Sequence, residues 1–270
     1  MHIIRITLKD LRLLTRDRRA FIVLLALPLV LISVIGVSAG NRITLNVMTA
    51  TESIAADAER PEFEASGTSR VYRSIVPGYI VLFVFFLVNI MGRSFIQERD
   101  LGTLQRIRIA PVSSVSITAG KTLPFLLVSI VQSVLLLAAG VFVFGMDPGN
   151  RPWLIVPLVV CTSLAATTLG LAFAAIARTD AQVSAWGNLI VLSTAGISGC
   201  LIPRHLTPEF LQQISLVTPH AWALIAYREI LVAELPSLLT VMSACGVLLG
   251  FSTAFSIAGV IGFRRYSVLR

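Results

Sequence analysis

Six runs of about twenty consecutive apolar residues constrain this chain more than any other feature: residues 21–39, 75–96, 123–144, 154–177, 183–201 and 238–263. Each has roughly the 20 residues that a helix needs to cross a hydrocarbon core about 30 Å thick with its backbone polar groups paired internally. No ordinary soluble core absorbs so much apolar surface: 56% of the 270 residues are hydrophobic and only 13% are charged, against roughly half and a quarter in soluble domains. The expected fold is an all-α membrane protein with six transmembrane helices. The fifth run is thinned by Gly187, Gly196 and Gly199 and stopped by Pro203, which also suits a broken or re-entrant helix.

Basic residues set the expected orientation. With the N-terminus inside, 15 of the 22 Lys and Arg residues fall on the cytoplasmic side and five of the 14 acidic ones. That is the positive-inside bias, and an even span count puts both termini in the cytoplasm. Topology thereby accounts for the net charge of +8 and the pI near 10.2, and no groove-sized basic patch for nucleic acid remains. Cys161, Cys200 and Cys245 lie in or beside apolar runs, without metal-ligand spacing, and read as buried small hydrophobes.

Outside the runs the chain is short of polar material. In residues 1–20, Ile4, Leu8, Leu11 and Leu14 recur at helical spacing while Arg5, Lys9, Arg12 and Arg16 fall on another stripe. This predicts an amphipathic interfacial helix on the cytoplasmic leaflet rather than a removable signal peptide, whose apolar region would be shorter. Residues 40–74 read as an external loop with an acidic middle, too short for a sizeable domain. Residues 202–236 read as an external helical hairpin dipping into the outer leaflet before the last span. Thr207 with Pro208, and Thr218 with Pro219, supply the two helix starts.

The most informative stretch is the cytoplasmic segment 97–122. Leu101, Leu104 and Arg108 share a helical face, acidic Glu98 and Asp100 precede basic Arg106 and Arg108, and Pro111 ends the helix. Such a short charged helix suits docking, or is a solvated loop. Gly120-Lys121-Thr122 has the ending of a phosphate-binding loop, but that loop needs a Gly at position 115, where Val stands. The chain is therefore expected to bind no nucleotide of its own.

Glu98-Arg99, Gly102-Thr103-Leu104, Pro111 and Gly120-Lys121 in this order resemble the signature of ABC exporter permeases of the second structural type. The Gly-rich fifth run, Leu201-Ile202-Pro203, the turn at Pro208 to Leu211, and Leu216-Val217-Thr218-Pro219 resemble the same family, so that the match covers most of the chain from about Tyr72. The resemblance implies one permease domain over residues 1–270, paired with a second permease as a homo- or heterodimer and with cytoplasmic ATPase subunits. ATP and Mg would belong to those subunits, with no cofactor, metal or catalytic residue in this chain. Glu98, Arg99, Gly102, Thr103, Leu104 and Arg106 would couple to the ATPase. The implied setting is a prokaryotic inner membrane and the implied task is the outward movement of a hydrophobic or amphipathic drug, lipid or natural product.

Two other classes stay open at this point. A non-ABC transporter or channel usually carries ionisable groups at mid-membrane, and none of the six runs has one centrally; Asn89, Asn188, Thr194 and Ser198 are the small neutral groups that could line a path. An intramembrane serine protease could use Ser198 in Gly196-Ile197-Ser198-Gly199 with His220 as base, if the two came within hydrogen-bond reach. Close helix packing is the plainer reading of that sequence.

Overall fold

The computed structural model describes residues 7–11, 22, 26–34, 38, 62–103, 114–201, 204 and 207–268. Among them there is no strand, as expected of an all-α membrane protein. Seven helices carry the fold: α1 (Glu62–Asp100), α2 (Ser114–Phe142), α3 (Ile155–Ile176), α4 (Asp180–Ser198), α5 (Glu209–Ser215), α6 (Pro219–Val232) and α7 (Leu238–Val268). Shorter helical pieces lie at residues 7–11 and 26–34, the latter inside the first apolar run.

Among the described residues four helical stretches are long and apolar enough to cross a membrane: Tyr72–Asp100, Ser116–Phe142, Pro152–Ile176 and Leu238–Phe263. The fifth run forms α4, which is continuous through Gly187 and Gly196 and ends only at Gly199, whose φ of 90° closes the helix in the left-handed region. Its 19 residues give a length of about 28 Å. The rest of the first run lies outside the described residues.

Residues 62–74 belong to α1, so the segment read as an external loop over 40–74 gives way to helix from Glu62 onward. The third apolar helix likewise begins at Ser114 rather than at Leu123, which shortens the connection from α1. Two helices, α5 and α6, form where the two Thr-Pro starts were read. Thr218 caps α6, its side chain accepting from the Ala221 N–H, as the Thr-Pro pattern predicts. At α5 the expectation is off by one residue: Pro208 holds the N-cap position, and the Thr207 hydroxyl donates to the Arg204 carbonyl 2.7 Å away instead of capping.

Burial separates the axis of the bundle from its skin. In the most apolar window of α1 83% is buried inside the chain, against 28% for α7 and 39% for α2. The core gathers Ile80, Phe85 and Val88 of α1 with Leu158 and Ala165 of α3, Leu224 and Tyr227 of α6, and Val241 and Leu248 of α7. α2 and α7 leave Val131, Val134, Leu249 and Ile257 outward, a surface only lipid or another apolar partner can cover.

Candidate functional site

Two polar groupings lie against α1, of opposite character. The first is ionic and sits where α1 ends and α2 begins. Lys121, only 2% exposed, is ion-paired with Glu98 of the last turn of α1, and its Nζ lies 3.4 Å from Asp10 Oδ2 on the N-terminal helical piece. Lys9 Nζ completes the ring at 3.0 Å from Glu98 Oε1 and 3.4 Å from Asp10 Oδ1. The Thr7 hydroxyl donates to the Gly120 carbonyl at 3.2 Å, and the Lys121 ammonium stands 5.2 Å from the centre of the Phe95 ring. Lys121, Glu98 and Asp10 are buried and Lys9 stands exposed at their edge, so that two cations and two carboxylates cancel in charge, the condition under which burying ions is tolerable. Burial pushes the Asp10 carboxyl up from its ordinary value, partly opposed by Lys121. At Lys9 burial acts downward, but Glu98 and Asp10 outweigh it and the ammonium lies above its ordinary range.

This arrangement revises the expected interfacial helix in one respect. The face turned to the protein carries Thr7 and Asp10, both buried, while Leu8 points outward. The helical piece is held to the bundle by the polar bonds of Thr7, Lys9 and Asp10.

Of the residues expected to couple to an ATPase, Glu98 belongs to the ionic ring and Arg99, Gly102 and Thr103 follow it. Leu101 still bonds to the Gln97 carbonyl, and Gly102 then turns the chain at φ +68°, with its N–H on the Arg99 carbonyl. The Thr103 hydroxyl donates to the Glu98 carbonyl at 3.0 Å, and the Arg99 guanidinium donates to the Arg178 carbonyl at the end of α3. Glu98, expected to offer its charge outward, spends it inside on Lys9 and Lys121. Leu104 and Arg106 lie outside the described residues. Gly120-Lys121-Thr122 sits within α2, with its lysine committed to carboxylates rather than facing a phosphate.

The second grouping is neutral and joins α1, α4 and α6. Asn89 Nδ2 donates to Asn188 Oδ1 at 3.0 Å. Thr194 Oγ1 lies 3.4 Å from His220 Nε2, and the His220 ring stacks on Phe85 with centroids 3.8 Å apart. Ser198 shares a hydrogen bond with the Thr218 hydroxyl at 2.7 Å and donates to the Thr194 carbonyl. The four small polar residues singled out in the sequence are therefore brought along one side of α4. The partner of Ser198 is Thr218, while His220 faces Thr194, so the pairing a serine protease needs does not form.

Sequence reasoning passed over Asp10 and the roles of Lys9 and Lys121. A usable signal existed: Lys121 precedes an apolar run directly, and a lysine drawn into such surroundings needs a carboxylate partner. Glu98 lies at the other end of the same connection.

Comparison with known proteins fits this anatomy. The family model described as ABC-2 type transporter matches residues 1–232. The chain belongs to the ABC-2 type transporter family. It is 32% identical over 201 residues to the linearmycin resistance permease protein LnrN of Bacillus subtilis, covering 74% of this chain and 51% of that one. It is 25% identical over 146 residues to the probable multidrug ABC transporter permease YbhR of Escherichia coli, covering 54% and 40% respectively. The inner membrane transport permease YhhJ of the same species is 30% identical over 136 residues, or 49% and 36% of the two chains. The matches thus span about half or less of the length of these relatives. ABC-2 permeases are transport subunits rather than enzymes and typically pair with ATPase subunits, which handle ATP. As a member of that family with four apolar helices long enough to span, this chain is a multi-pass membrane protein.

Proposed function

We propose that this chain is the membrane-spanning subunit of an ATP-driven exporter that moves a hydrophobic or amphipathic molecule out of a prokaryotic cell. It works with a second permease, a copy or a relative, and with cytoplasmic ATPase chains. Its six spans leave both termini in the cytoplasm. The observation that carries this reading is the ionic ring of Lys9, Asp10, Glu98 and Lys121. It ties the N-terminal helical piece to the ends of α1 and α2 beside the segment that resembles an ATPase-coupling helix. Force applied to that segment would then reach both helices at once.

In this reading Leu104 and Arg106 meet the ATPase, Gly102 and Thr103 shape the turn, Arg99 braces it against the end of α3, and Glu98 anchors it from within. Asn89, Asn188, Thr194 and Ser198 are the polar groups nearest a transport path, and their neutrality suits amphipathic cargo better than ions. The names of LnrN and YbhR, which speak of linearmycin resistance and of multidrug transport, point to the same class of substrate.

Replacing Leu104 with Asp tests the coupling. A charge placed in a packed contact costs several kcal/mol if that contact is dry. Transport and permease-stimulated ATPase activity in co-reconstituted vesicles should fall together, roughly a hundredfold or more, with membrane insertion normal. A variant that co-purifies with its ATPase and exports at the wild-type rate would make the segment a solvated loop.

A further inference from the structure

At the end of α1 away from the ionic ring, two arginines converge on one turn. Gly199 closes α4, and its carbonyl accepts from Arg228 Nη2 of α6 at 3.4 Å. A Cβ built on Gly199 would stand 3.1 Å from Arg204 Cβ, so Arg204 packs directly on the same turn. The Arg204 guanidinium donates through Nη2 to the Gln212 carbonyl of α5 at 2.5 Å. Both side chains are partly buried, and each Nε is buried with no hydrogen-bond partner among the described residues. Burial pushes Arg228 down from its ordinary value, opposed by the Cys200 thiol, and the Arg204 charge adds a smaller push in the same downward direction.

Helix capping alone is a weak account of this pair. A helix C-terminus offers about half a negative charge, and α5 is only seven residues long. Each guanidinium carries five N–H donors, yet among the described residues each makes one hydrogen bond, in both cases to a carbonyl. Among the described residues neither arginine has a carboxylate partner. Glu229, next to Arg228, is spent on the Ser237 N–H at 2.8 Å. Two adjacent, partly desolvated cations with unspent donors form a site for an oxyanion, which can take forked bonds from both.

The surroundings select the kind of oxyanion. Leu201 follows the turn, and Phe210 and Ile214, four residues apart on α5, are exposed, as is Val217 beyond it. Trp222 of α6 donates its indole N–H to the Leu216 carbonyl at 2.8 Å, in keeping with the taste of tryptophan for the level of lipid headgroups. A basic pair flanked by outward apolar side chains fits a molecule with a phosphate and acyl chains better than a free ion. We propose that Arg204 and Arg228 form a binding site for the phosphate of a membrane phospholipid at the hairpin end of the bundle. Such a lipid would fasten the end of α4 to α5 and α6. This site goes beyond the proposed transport role and does not depend on the coupling assignment.

The full chain, purified in detergent, is titrated with phosphatidylglycerol, with diacylglycerol of the same acyl chains and with inorganic phosphate. Retained lipid is read by native mass spectrometry and stability by Tm. Phosphatidylglycerol should be retained and raise Tm, diacylglycerol should do neither, and inorganic phosphate should fail to displace the lipid. Arg228→Gln and Arg204→Gln should each weaken retention roughly tenfold, with Arg228→Lys between them and wild type. Equal retention of the two lipids, or wild-type retention by both Gln variants, overturns the proposal. So does displacement by inorganic phosphate, which would make the ligand a free ion. If either Gln variant does not fold, the headgroup comparison on the wild-type chain decides alone.

Discussion

The two polar groupings along α1 solve the same problem by different means. Near Asp100 the chain buries the charges of Lys121, Glu98 and Asp10 and balances them with Lys9 at the exposed edge. Along α4 it uses amides, hydroxyls and close backbone approach: Asn89 on Asn188, Ser198 on Thr218, and Gly78 under the Cys200 carbonyl. The difference follows from cost. A buried ion is strongly destabilising once its partner is gone, whereas a neutral interhelical hydrogen bond in a membrane is worth about 1 kcal/mol or less. The ionic end is therefore all-or-none in its dependence on single residues, and the neutral region degrades gradually.

Removing Lys121 breaks that contrast most sharply. Lys121→Met leaves Glu98 and Asp10 facing Lys9 alone, a net negative charge in a largely buried ring, and should cost about 3–5 kcal/mol. The measurement is Tm of the purified chain in detergent, with release of the N-terminal piece followed by limited proteolysis. Adding Glu98→Gln restores neutrality, leaving Lys9 with Asp10, and should recover much of the loss. A double variant as unstable as the single one would show that packing of the lysine stem, not charge balance, holds the joint.

A smaller effect is expected where backbone meets backbone. A Cβ at position 78 would lie 2.2 Å from the Cys200 carbonyl oxygen, a neighbour that cannot swing aside as a side chain would. Gly78→Ala should cost about 1–3 kcal/mol as α1 and the end of α4 are pushed apart, again read as a fall in Tm. At Gly187 the atom in the way is the amide oxygen of Asn89, 2.1 Å from the built Cβ. Gly187→Ala should therefore cost less, about the worth of the displaced Asn89–Asn188 bond. Equal losses at the two sites would mean that the amide is held as rigidly as the backbone.

What the sequence disclosed follows the same division. Apolar runs announce helices because their length alone answers the bilayer, and the Thr218-Pro219 start was legible because capping is local chemistry. The extension of α1 back to Glu62 was not, since acidic and small residues ahead of an apolar run carry no apolar signal. The ionic ring joins residues more than a hundred positions apart in Asp10 and Lys121, and no spacing rule reaches that far. The neutral residues were visible singly, as small polar groups in apolar helices. That Ser198 would meet Thr218 rather than His220 depended on how α6 turns against α4, which only packing decides.

That last pairing gives the smallest expected effect and the clearest distinction between transport and proteolysis. Ser198 is fully buried, and its hydroxyl is shared between Thr218 and the Thr194 carbonyl. Ser198→Ala removes the bond to Thr218 together with the one to the Thr194 carbonyl in its own helix, and leaves the Thr218 hydroxyl donating to the Ser215 carbonyl at 2.7 Å, so no partner is stranded. The cost should be at most about 1 kcal/mol, with export within about twofold of wild type. A fluorophosphonate probe should leave the wild-type chain unlabelled, because His220 lies against Thr194 and Phe85 rather than within reach of the serine. Labelling that is specific and disappears in Ser198→Ala would require the hydroxyl to leave Thr218 and find a base, which would turn this part of the neutral grouping from a packing device into a nucleophile.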